Sequence, residues 1–170
     1  TARSYGTGSS LFNGKLGEPI FHPAFHLVDT RDAADRRVCP FDMEGVVRAQ
    51  PALDIVRDGA VRNIVANKRD ALRYELPATG SAVGGLEELP STGLAHLAVA
   101  PTAPDLAALL GGQEGLLVWF SAGGDVTRTG DISLPVQVGF KVAADGTLLG
   151  RVSGLTLTGN LFKVFGDDYV

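Results

Sequence analysis

The sequence predicts a mainly β domain of the α+β class, in which short antiparallel strands outnumber helices. Glycine makes up 22 of the 170 residues, well above the average of ~7%, and much of it separates short β-branched segments. Two Asp-Gly pairs, Asp58-Gly59 and Asp145-Gly146, lie between runs of alternating apolar residues. Because such a pair tolerates the positive φ of a tight turn, we expect an antiparallel hairpin at each one, together with one to three short helices.

The apolar pattern around these turns predicts the strands. Segments 52–67 and 138–159 alternate on both sides of their Asp-Gly pairs. Segment 115–122 is a short continuous apolar run, which is typical of a central strand. We therefore expect these three segments to form the framework of the domain.

A further strand is predicted after a turn at Gly130 and Asp131. Beyond that turn, Ser133, Pro135 and Gln137 would lie on one face, with the apolar residues between them on the other. The stretch 152–160 alternates in the same way and ends at Gly159 and Asn160.

Helical signals are fewer. Segment 103–112 has leucines at helical spacing between a Pro-Asp start and a double glycine stop. Segment 67–76 is long enough for two or three turns, and Asn160 is placed to cap a final turn. Segment 76–93 reads as a long loop, and such loops in compact domains are often functional.

Composition limits the classes of function. The length suits one domain, residues 1–170, and the abrupt ends lead us to expect a fragment or one domain of a longer polypeptide. A net charge of −4 gives no electrostatic reason to bind nucleic acid or an anionic membrane. No apolar run approaches the ~20 residues of a membrane span. The single cysteine, Cys39, excludes an internal disulfide and predicts a cytoplasmic location.

Two histidines raise the question of a metal site. His22 and His26 are four residues apart, a spacing that on a helix would allow both to bind one zinc ion. The surrounding apolar residues and Pro23 favour an extended segment, where the two positions lie ~13 Å apart. We therefore expect two edge-strand histidines, and no metal. An independent metalloenzyme that also uses His96 is kept as a less favoured alternative.

Asp42 and Glu44 are the other candidate pair. On an extended chain they would lie on one side, where two carboxylates could share a proton or bind a cation. The alternative is that both cap a turn and face water. Cys39, which has no recognisable base beside it, is predicted to be a small buried or half-buried apolar residue and not a nucleophile.

Three stretches resemble one known family. "SSLFNGKLGEPIF", "PFDMEGV" and "TGDISLPVQVGFKVAADGTLLGRVSGLTLTGNLFKVF" resemble, in order and approximate spacing, the C-terminal domain of the TldD/PmbA (TldE) family of metallopeptidases, also called modulators of DNA gyrase. The resemblance implies a β-rich domain that follows an α/β N-terminal domain. It also implies that Thr79 and Gly80 belong to the Thr-Gly loop of that family.

The resemblance also implies a division of labour between two subunits. A TldD-like subunit holds zinc through an H-E-x-x-x-H helix and a later cysteine, whereas the PmbA/TldE-like partner lacks these ligands. No histidine in this sequence is followed by glutamate, and "FNGKLGEPIF" is closer to the zinc-free partner. We therefore expect no cofactor and no catalytic residue in this chain, with zinc in a TldD-like partner.

The predicted role is that of a chamber wall that docks unfolded peptide by strand addition. The partner would be a TldD-like zinc-bearing subunit or a second copy of the chain. An assembly module with the same fold and no part in proteolysis is the alternative. The residues predicted to line or shape the peptide-binding surface are Asp42, Glu44, Thr79, Gly80, Gly130, Asp131, Ser133, Gly159 and Asn160.

Overall fold

The computed structural model describes residues 1–32, 34, 38–85 and 87–169. It divides the chain into two compact units, Thr1–Ala100 and Pro101–Val170. Every pairing between the named strands of the described residues is antiparallel. The mainly β prediction is confirmed, with four short helices within the described part of the chain where we expected one to three. None of the described helices is long and apolar enough to cross a membrane.

The first unit combines a four-stranded sheet with two helices and a separate two-stranded ribbon. Its elements are α1 (Ala2–Gly6), β1 (Leu27–Thr30), β2 (Ala52–Arg57), β3 (Ala60–Val61), α2 (Lys68–Tyr74), β4 (Ala82–Val83), β5 (Ser91–Thr92) and β6 (Leu97–Val99). The strand order of the larger sheet is β3-β2-β1-β6, and β4 pairs with β5. The ribbon lies inside segment 76–93, which the sequence analysis had treated as a loop throughout.

The hairpin at Asp58-Gly59 is confirmed. Arg57 pairs with Ala60 across a two-residue turn, and both turn residues have positive φ, 53° for Asp58 and 70° for Gly59. The carbonyl oxygen of Gly59 accepts the N–H groups of Ile20 and Phe21. This contact holds the preceding segment against the turn.

The core of the first unit lies beneath this hairpin. Val56 and Val61 are almost fully buried, and the rings of Phe21 and Phe25 meet edge to face at 5.4 Å. Packing of this kind is the main favourable term in folding. The buried valines of β2 and β3 therefore mark the face of the sheet that is turned away from solvent.

Helix α2, Lys68–Tyr74, lies inside the predicted segment 67–76. The side chain of Asn67 accepts the N–H of Asp70 at the N-terminus, and Glu75 adopts the left-handed conformation at the C-terminus. Helix α1 was not foreseen. It is capped by Thr1 and passes so close to α2 that a Cβ on Gly6 would overlap the ring of Tyr74.

The second unit is built on one long strand. Its elements are α3 (Leu106–Leu110), β7 (Gly115–Ser121), β8 (Asp125–Val126), β9 (Asp131–Val142), β10 (Leu148–Val152), β11 (Leu155–Asn160) and α4 (Leu161–Val164). Strand β9 pairs with β7 and β8 and also with β10 and β11. The central strand is thus β9. Segment 115–122 forms β7. Among the described residues β7 pairs with β9 alone, so the prediction that this segment is a central strand was wrong.

The strands beside β9 are interrupted. Ser121 pairs with Val136 and Asp125 with Ser133, so Gly123-Gly124 separates β7 from β8. On the other side, Ser153-Gly154 separates β10 from β11. Each pair therefore behaves as one long strand with a break, and β9 joins all four segments.

Strand β9 alternates as predicted. Ile132, Val136 and Val142 are buried, whereas Ser133 and Gln137 are exposed. The turn that follows is the predicted one at Asp145-Gly146, with Gly146 at φ 86°. The N–H of Gly146 donates to the carbonyl of Ala143, which makes this a three-residue loop with glycine in the left-handed position.

Both helices of the second unit match their sequence signals. Asp105 caps α3 and Gly111 ends it in the left-handed conformation. Asn160 caps α4 by accepting the N–H of Phe162 at 3.0 Å. Helix α3 is five residues long and lies inside the predicted range 103–112.

Candidate functional site

A buried arginine organises the centre of the first unit. We call Asp29, Arg48, Thr79, Gly80 and Ser81 the Arg48 cluster. The guanidinium of Arg48 donates to the Asp29 carboxylate at 2.7 Å, to the Thr79 carbonyl at 2.7 Å, to the Gly80 carbonyl at 3.1 Å and to Ser81 Oγ at 3.0 Å. The Arg48 side chain is 6% exposed and that of Asp29 is fully buried. The cluster therefore holds the predicted Thr-Gly segment in one conformation.

The second oxygen of Asp29 extends this network. Its Oδ1 accepts the N–H groups of Ala95 and His96, each at 2.8 Å. Both oxygens of the carboxylate are thus engaged, one by a guanidinium and one by backbone donors. A buried charge that is paired and hydrogen-bonded in this way avoids most of the cost of leaving water.

Asp42 lies in a turn and not on an extended segment, which corrects the sequence prediction. Its Oδ1 accepts the N–H groups of Glu44 and Val46 at 2.9 Å, and its Oδ2 accepts that of Ala82 at 3.0 Å. The side chain is buried, so it does not face water either. Asp42 therefore closes its own turn and fastens that turn to β4.

Glu44 points to a different element. Its Oε2 accepts the N–H of Lys68 at 2.8 Å, at the start of α2, while Lys68 Nζ donates to the Glu44 carbonyl. A carboxylate at the N-terminus of a helix is favoured by the unpaired N–H groups and the dipole there. Asp42 and Glu44 thus tie one turn to two neighbours, with each carboxylate engaged by backbone donors.

A cleft of about 340 Å³ lies beside β4. We call it the Gly84 cleft, and the residues that line it include Arg31, Cys39, Met43, Val83, Gly84 and Leu94. Met43 and Leu94 are exposed there. Cys39 is exposed as well, so the prediction that it is buried or half-buried was wrong. The wall is mostly apolar, with backbone groups, the Arg31 guanidinium and the Asp42 carboxylate added.

The edge of β4 that faces away from β5 continues into this cleft. Ala82 donates its N–H to Asp42, and its carbonyl accepts the N–H of Met43 at 3.2 Å. Alternate residues of an extended chain present their backbone groups to the same edge, and Gly84 is the next such residue. Within the described residues, no hydrogen bond engages the N–H or C=O of Gly84.

Arg31 is the second buried arginine of this region. Its Nε donates to the Gly80 carbonyl at 3.1 Å, and its Nη1 donates to the carbonyls of Cys39 and Phe41. The residue is 6% exposed and lines the Gly84 cleft. The Gly80 carbonyl therefore accepts hydrogen bonds from both guanidinium groups, that of Arg31, which lines the cleft, and that of Arg48 in the cluster.

The five predicted residues of the second unit lie together at one end of β9. Asn160 pairs with Asp131 across the sheet, Gly159 with Ile132, and Ser133 with Thr158. The carbonyl of Gly130 accepts the N–H of Leu161 at 2.7 Å. The turn before β9 is thereby fastened to the start of α4.

Asp131 is the hub of this second group. Its Oδ2 accepts the hydroxyls of Thr129 at 2.6 Å and Thr127 at 3.2 Å, and its Oδ1 accepts Nδ2 of Asn160 at 2.9 Å. These hydrogen bonds, with that of Thr129 the strongest, lower the pKa of the Asp131 carboxyl below its usual 3.8. The carboxylate thus serves as an acceptor that closes the turn.

His22 lies in a turn, which corrects the prediction of an extended segment there, whereas His26 lies outside that turn and its carbonyl accepts the N–H of Ala100 at 3.1 Å. The N–H of Phe25 donates to the carbonyl of His22 at 2.8 Å, and Nδ1 of His22 accepts the N–H of Ala24. His26 lies just before β1, with its Nε2 at 3.7 Å from Asp58. Pro23 at the second position of this turn fits the φ that such a turn requires.

The described residues do not fit a zinc site. Among them, no three His, Cys, Asp or Glu side chains are grouped so that they could hold a metal ion. Nor does the sequence contain the H-E-x-x-x-H pattern. No catalytic step is therefore assigned to a metal in this chain.

The sequence analysis missed the residues that organise the first unit, namely Asp29, Arg31 and Arg48. Each lies in a segment that also contains polar residues, so no single pattern shows that its side chain is buried. The one available signal was local. Arg48 interrupts the apolar stretch 46–49, where a charge is unusual unless it has a buried partner.

Comparison with known proteins identifies the family. Residues 1–167 match the family model described as the PmbA/TldA metallopeptidase C-terminal domain. A search of curated proteins gives no match.

Three solved structures share the fold. TldE from Thermococcus kodakarensis has a TM-score of 0.80 and 19% identity, over 98% of this chain and 38% of that one. Proposed modulators of DNA gyrase from Thermotoga maritima and Bacteroides thetaiotaomicron have TM-scores of 0.73 and 0.72, with 22% and 23% identity. Each match covers 98% of this chain, and 38% and 35% of those two chains. The chain thus spans little more than a third of each relative's length, and it belongs to the family of PmbA/TldA metallopeptidase C-terminal domains.

Proposed function

We propose that this chain acts as a wall of a peptide-binding chamber, in the manner of a zinc-free TldE/PmbA-like subunit. It docks unfolded peptide, and a TldD-like partner carries the zinc and performs the hydrolysis. Membership of the metallopeptidase family and structural similarity to a TldE protein support this role. We place this activity in the cytoplasm, in keeping with the single cysteine.

The open edge at Gly84 is the observation that carries the proposal. A peptide that adds as a strand needs backbone donors and acceptors that are not already used. Ala82 has both groups engaged by the turn at residues 42 and 43, whereas those of Gly84 have no partner among the described residues. A peptide that enters the cleft would therefore continue the edge from Gly84 onward.

The Arg48 cluster supports this docking by holding the wall rigid. Thr79 is tied to Ala66 through three hydrogen bonds, two of them made by its hydroxyl, and that hydroxyl lies 2.8 Å from Ser81 Oγ. A rigid edge lowers the entropy cost of binding a flexible peptide. Asp42, Glu44, Thr79 and Gly80 thus shape the surface and do not contact the scissile bond.

The residues around Asp131 form a second rigid surface. We propose that Gly130, Asp131, Ser133, Gly159 and Asn160 shape another part of the chamber wall. Ser133 and Asp131 are exposed on the polar face of β9, where they are accessible to a peptide or to a partner subunit.

Strand addition can be tested on the peptide side. An extended eight-residue peptide with apolar residues is N-methylated at one position at a time, and its affinity for the chain is measured by calorimetry. Because an added strand hydrogen-bonds through alternate residues, methylation at alternate positions should weaken binding about fivefold or more, and methylation at the positions between should not. Equal effects at neighbouring positions would contradict strand addition.

The division of labour can be tested with a zinc-bearing relative. The chain and a TldD-like subunit are mixed, and both co-elution and cleavage of an unfolded peptide are measured. We expect cleavage in the complex and none by the chain alone. Co-elution without any effect on cleavage would instead indicate an assembly module, and about one zinc per purified chain, lost in His26→Ala, would indicate an independent metalloenzyme.

A further inference from the structure

We propose that the Gly84 cleft holds the C-terminal carboxylate of the docked peptide, with Arg31 as the residue that binds it. This inference rests on the proposed function and adds to it a substrate class, namely peptides with a free C-terminus. Three features carry it: the bonding of Arg31, its burial without a counter-ion, and the apolar wall around it.

Arg31 has donors to spare. Its Nε and Nη1 use their hydrogens on the carbonyls of Gly80, Cys39 and Phe41. Within the described residues, Nη2 makes no hydrogen bond, although Arg31 lines the cleft. Three carbonyl contacts fix the plane of the guanidinium, and they leave one nitrogen for a ligand that enters the cleft.

Arg31 also has no counter-ion in the part of the chain that the structure describes. Among the described residues no carboxylate oxygen lies within 4.0 Å of its guanidinium, although only 6% of the residue is exposed. Arg48, with comparable burial, is paired directly with Asp29 at 2.7 Å. A buried charge is costly unless it is paired, so an anion that reaches Arg31 gains more than one that binds a solvated surface arginine.

Asp42 does not fill that role. It lines the same cleft, but its two oxygens accept three backbone N–H groups. Asp42 is therefore engaged by backbone donors and not by Arg31, and the carboxylate of a ligand would be the counter-ion of Arg31.

The rest of the cleft suits the end of a peptide. Phe41, Met43 and Leu94 are between 42% and 50% exposed, so their apolar surfaces can pack against the last side chain. Gly84 offers a backbone N–H and C=O for the penultimate residue. Arg31, in turn, can donate the N–H groups of Nη2 to a carboxylate, because its Nε and Nη1 are already used. The cleft thus has a place for each chemical feature of a peptide that ends in an apolar residue.

Three fluorescein-labelled peptides of equal length test this on the unmodified full chain by fluorescence polarisation. The first ends in leucine with a free carboxylate, the second is its C-terminal amide, and the third is the amide with one internal glutamate. We expect the first to bind about tenfold more tightly than the other two. Equal affinity of the first two peptides would overturn the carboxylate site while leaving peptide docking intact.

The remaining outcomes are also decisive. If the third peptide binds as tightly as the first, the carboxylate comes from an acidic side chain, and the assignment to a C-terminus fails. If none of the three binds, the proposed function fails and this inference fails with it.

A matched pair of variants locates the site. Met43→Glu places a negative charge on the cleft wall and should reduce the preference for the free carboxylate about tenfold or more, because like charges repel. Leu72→Glu adds the same charge at a residue that is 85% exposed on α2, and it should leave that preference unchanged. Circular dichroism verifies that both variants are folded. An unchanged preference in folded Met43→Glu would overturn the assignment to this cleft.

Discussion

Arg48 and Asp29 form a buried ion pair at 2.7 Å that joins β1 to the Thr79–Ser81 segment. The same guanidinium donates to the Asp29 carbonyl at 2.8 Å, so the pair is anchored through both backbone and side chain. The Gly80 carbonyl is shared with Arg31. The conformation of the Thr-Gly segment therefore depends on two buried guanidinium groups.

Removing one member of this pair should destabilise the first unit strongly. Arg48→Met retains most of the side-chain volume but leaves the Asp29 carboxylate buried without its counter-ion, which costs about 3–5 kcal/mol. Urea unfolding of the variant measures the loss. Arg57→Met is the matched control, because it breaks the exposed pair of Arg57 with Asp54 and should change the free energy of unfolding far less. Equal losses in the two variants would contradict the role of the Arg48 cluster.

A methyl group at Gly59 should disrupt the first hairpin. Gly59 has φ 70°, and a Cβ there would overlap the Phe21 carbonyl oxygen and lie 2.9 Å from that of His22. Gly45 has φ 71° but open space around the same position. Gly45→Ala therefore shows the backbone strain alone, about 1–2 kcal/mol. Gly59→Ala should cost about 1–3 kcal/mol more in urea unfolding because backbone atoms must move.

The lowered pKa of Asp131 predicts a specific acid sensitivity. Because the hydrogen bonds from Thr129, Asn160 and Thr127 lower this pKa in the folded state, the folded chain binds fewer protons than the unfolded chain. The resulting stability is present above pH 3.8 and is lost as the pH falls through the lower folded-state pKa. Thermal unfolding should therefore show Asp131→Asn less stable than the parent at neutral pH, with a difference that shrinks below pH 3.8.

Asp125→Asn provides the control for this pH series. It removes one carboxylate from exposed β8, beside the same central strand. The difference in stability between the parent and Asp125→Asn should not shrink in acid to the same extent. Equal convergence for both variants would indicate a general charge effect and not the hydrogen bonds of Asp131.

Cys39 offers a direct probe of the Gly84 cleft. It is the single cysteine of the chain, it is exposed, and it lines the cleft. If a peptide docks there, the rate of thiol modification by a disulfide reagent should fall about tenfold at nine-tenths occupancy, since only the free fraction reacts. In the double variant Cys39→Ser with Leu72→Cys, the thiol is at an exposed position of α2 in the same unit, and the peptide should not change its modification rate.

Local sequence chemistry predicted much of the fold. The Asp-Gly turns, the alternation of β9, and the cap at Asn160 depend on residues close together in the chain. Each of these features is decided by backbone preference or by one nearby side chain. These are the features that a single sequence reveals best.

Long-range contacts account for what was missed. Asp29 and Arg48 are separated by 19 residues, and Arg31 and Gly80 by 49, so neither contact leaves a periodic signal. The turn at Asp42 was read as extended although two donors to its carboxylate, the N–H groups of Glu44 and Val46, are local, and only that of Ala82 is distant in sequence. Strand β7 was placed at the centre because its apolar run resembles a buried strand, although several of its side chains are exposed.

The breaks at Gly123-Gly124 and Ser153-Gly154 have an evolutionary consequence for the second unit. In an uninterrupted strand, a single-residue insertion would turn every later side chain to the opposite face. Here each outer strand is already divided, so an added or deleted residue can be absorbed at the glycine while the segments on either side keep their partners on β9. Related chains can therefore differ in length at these two places without losing the sheet.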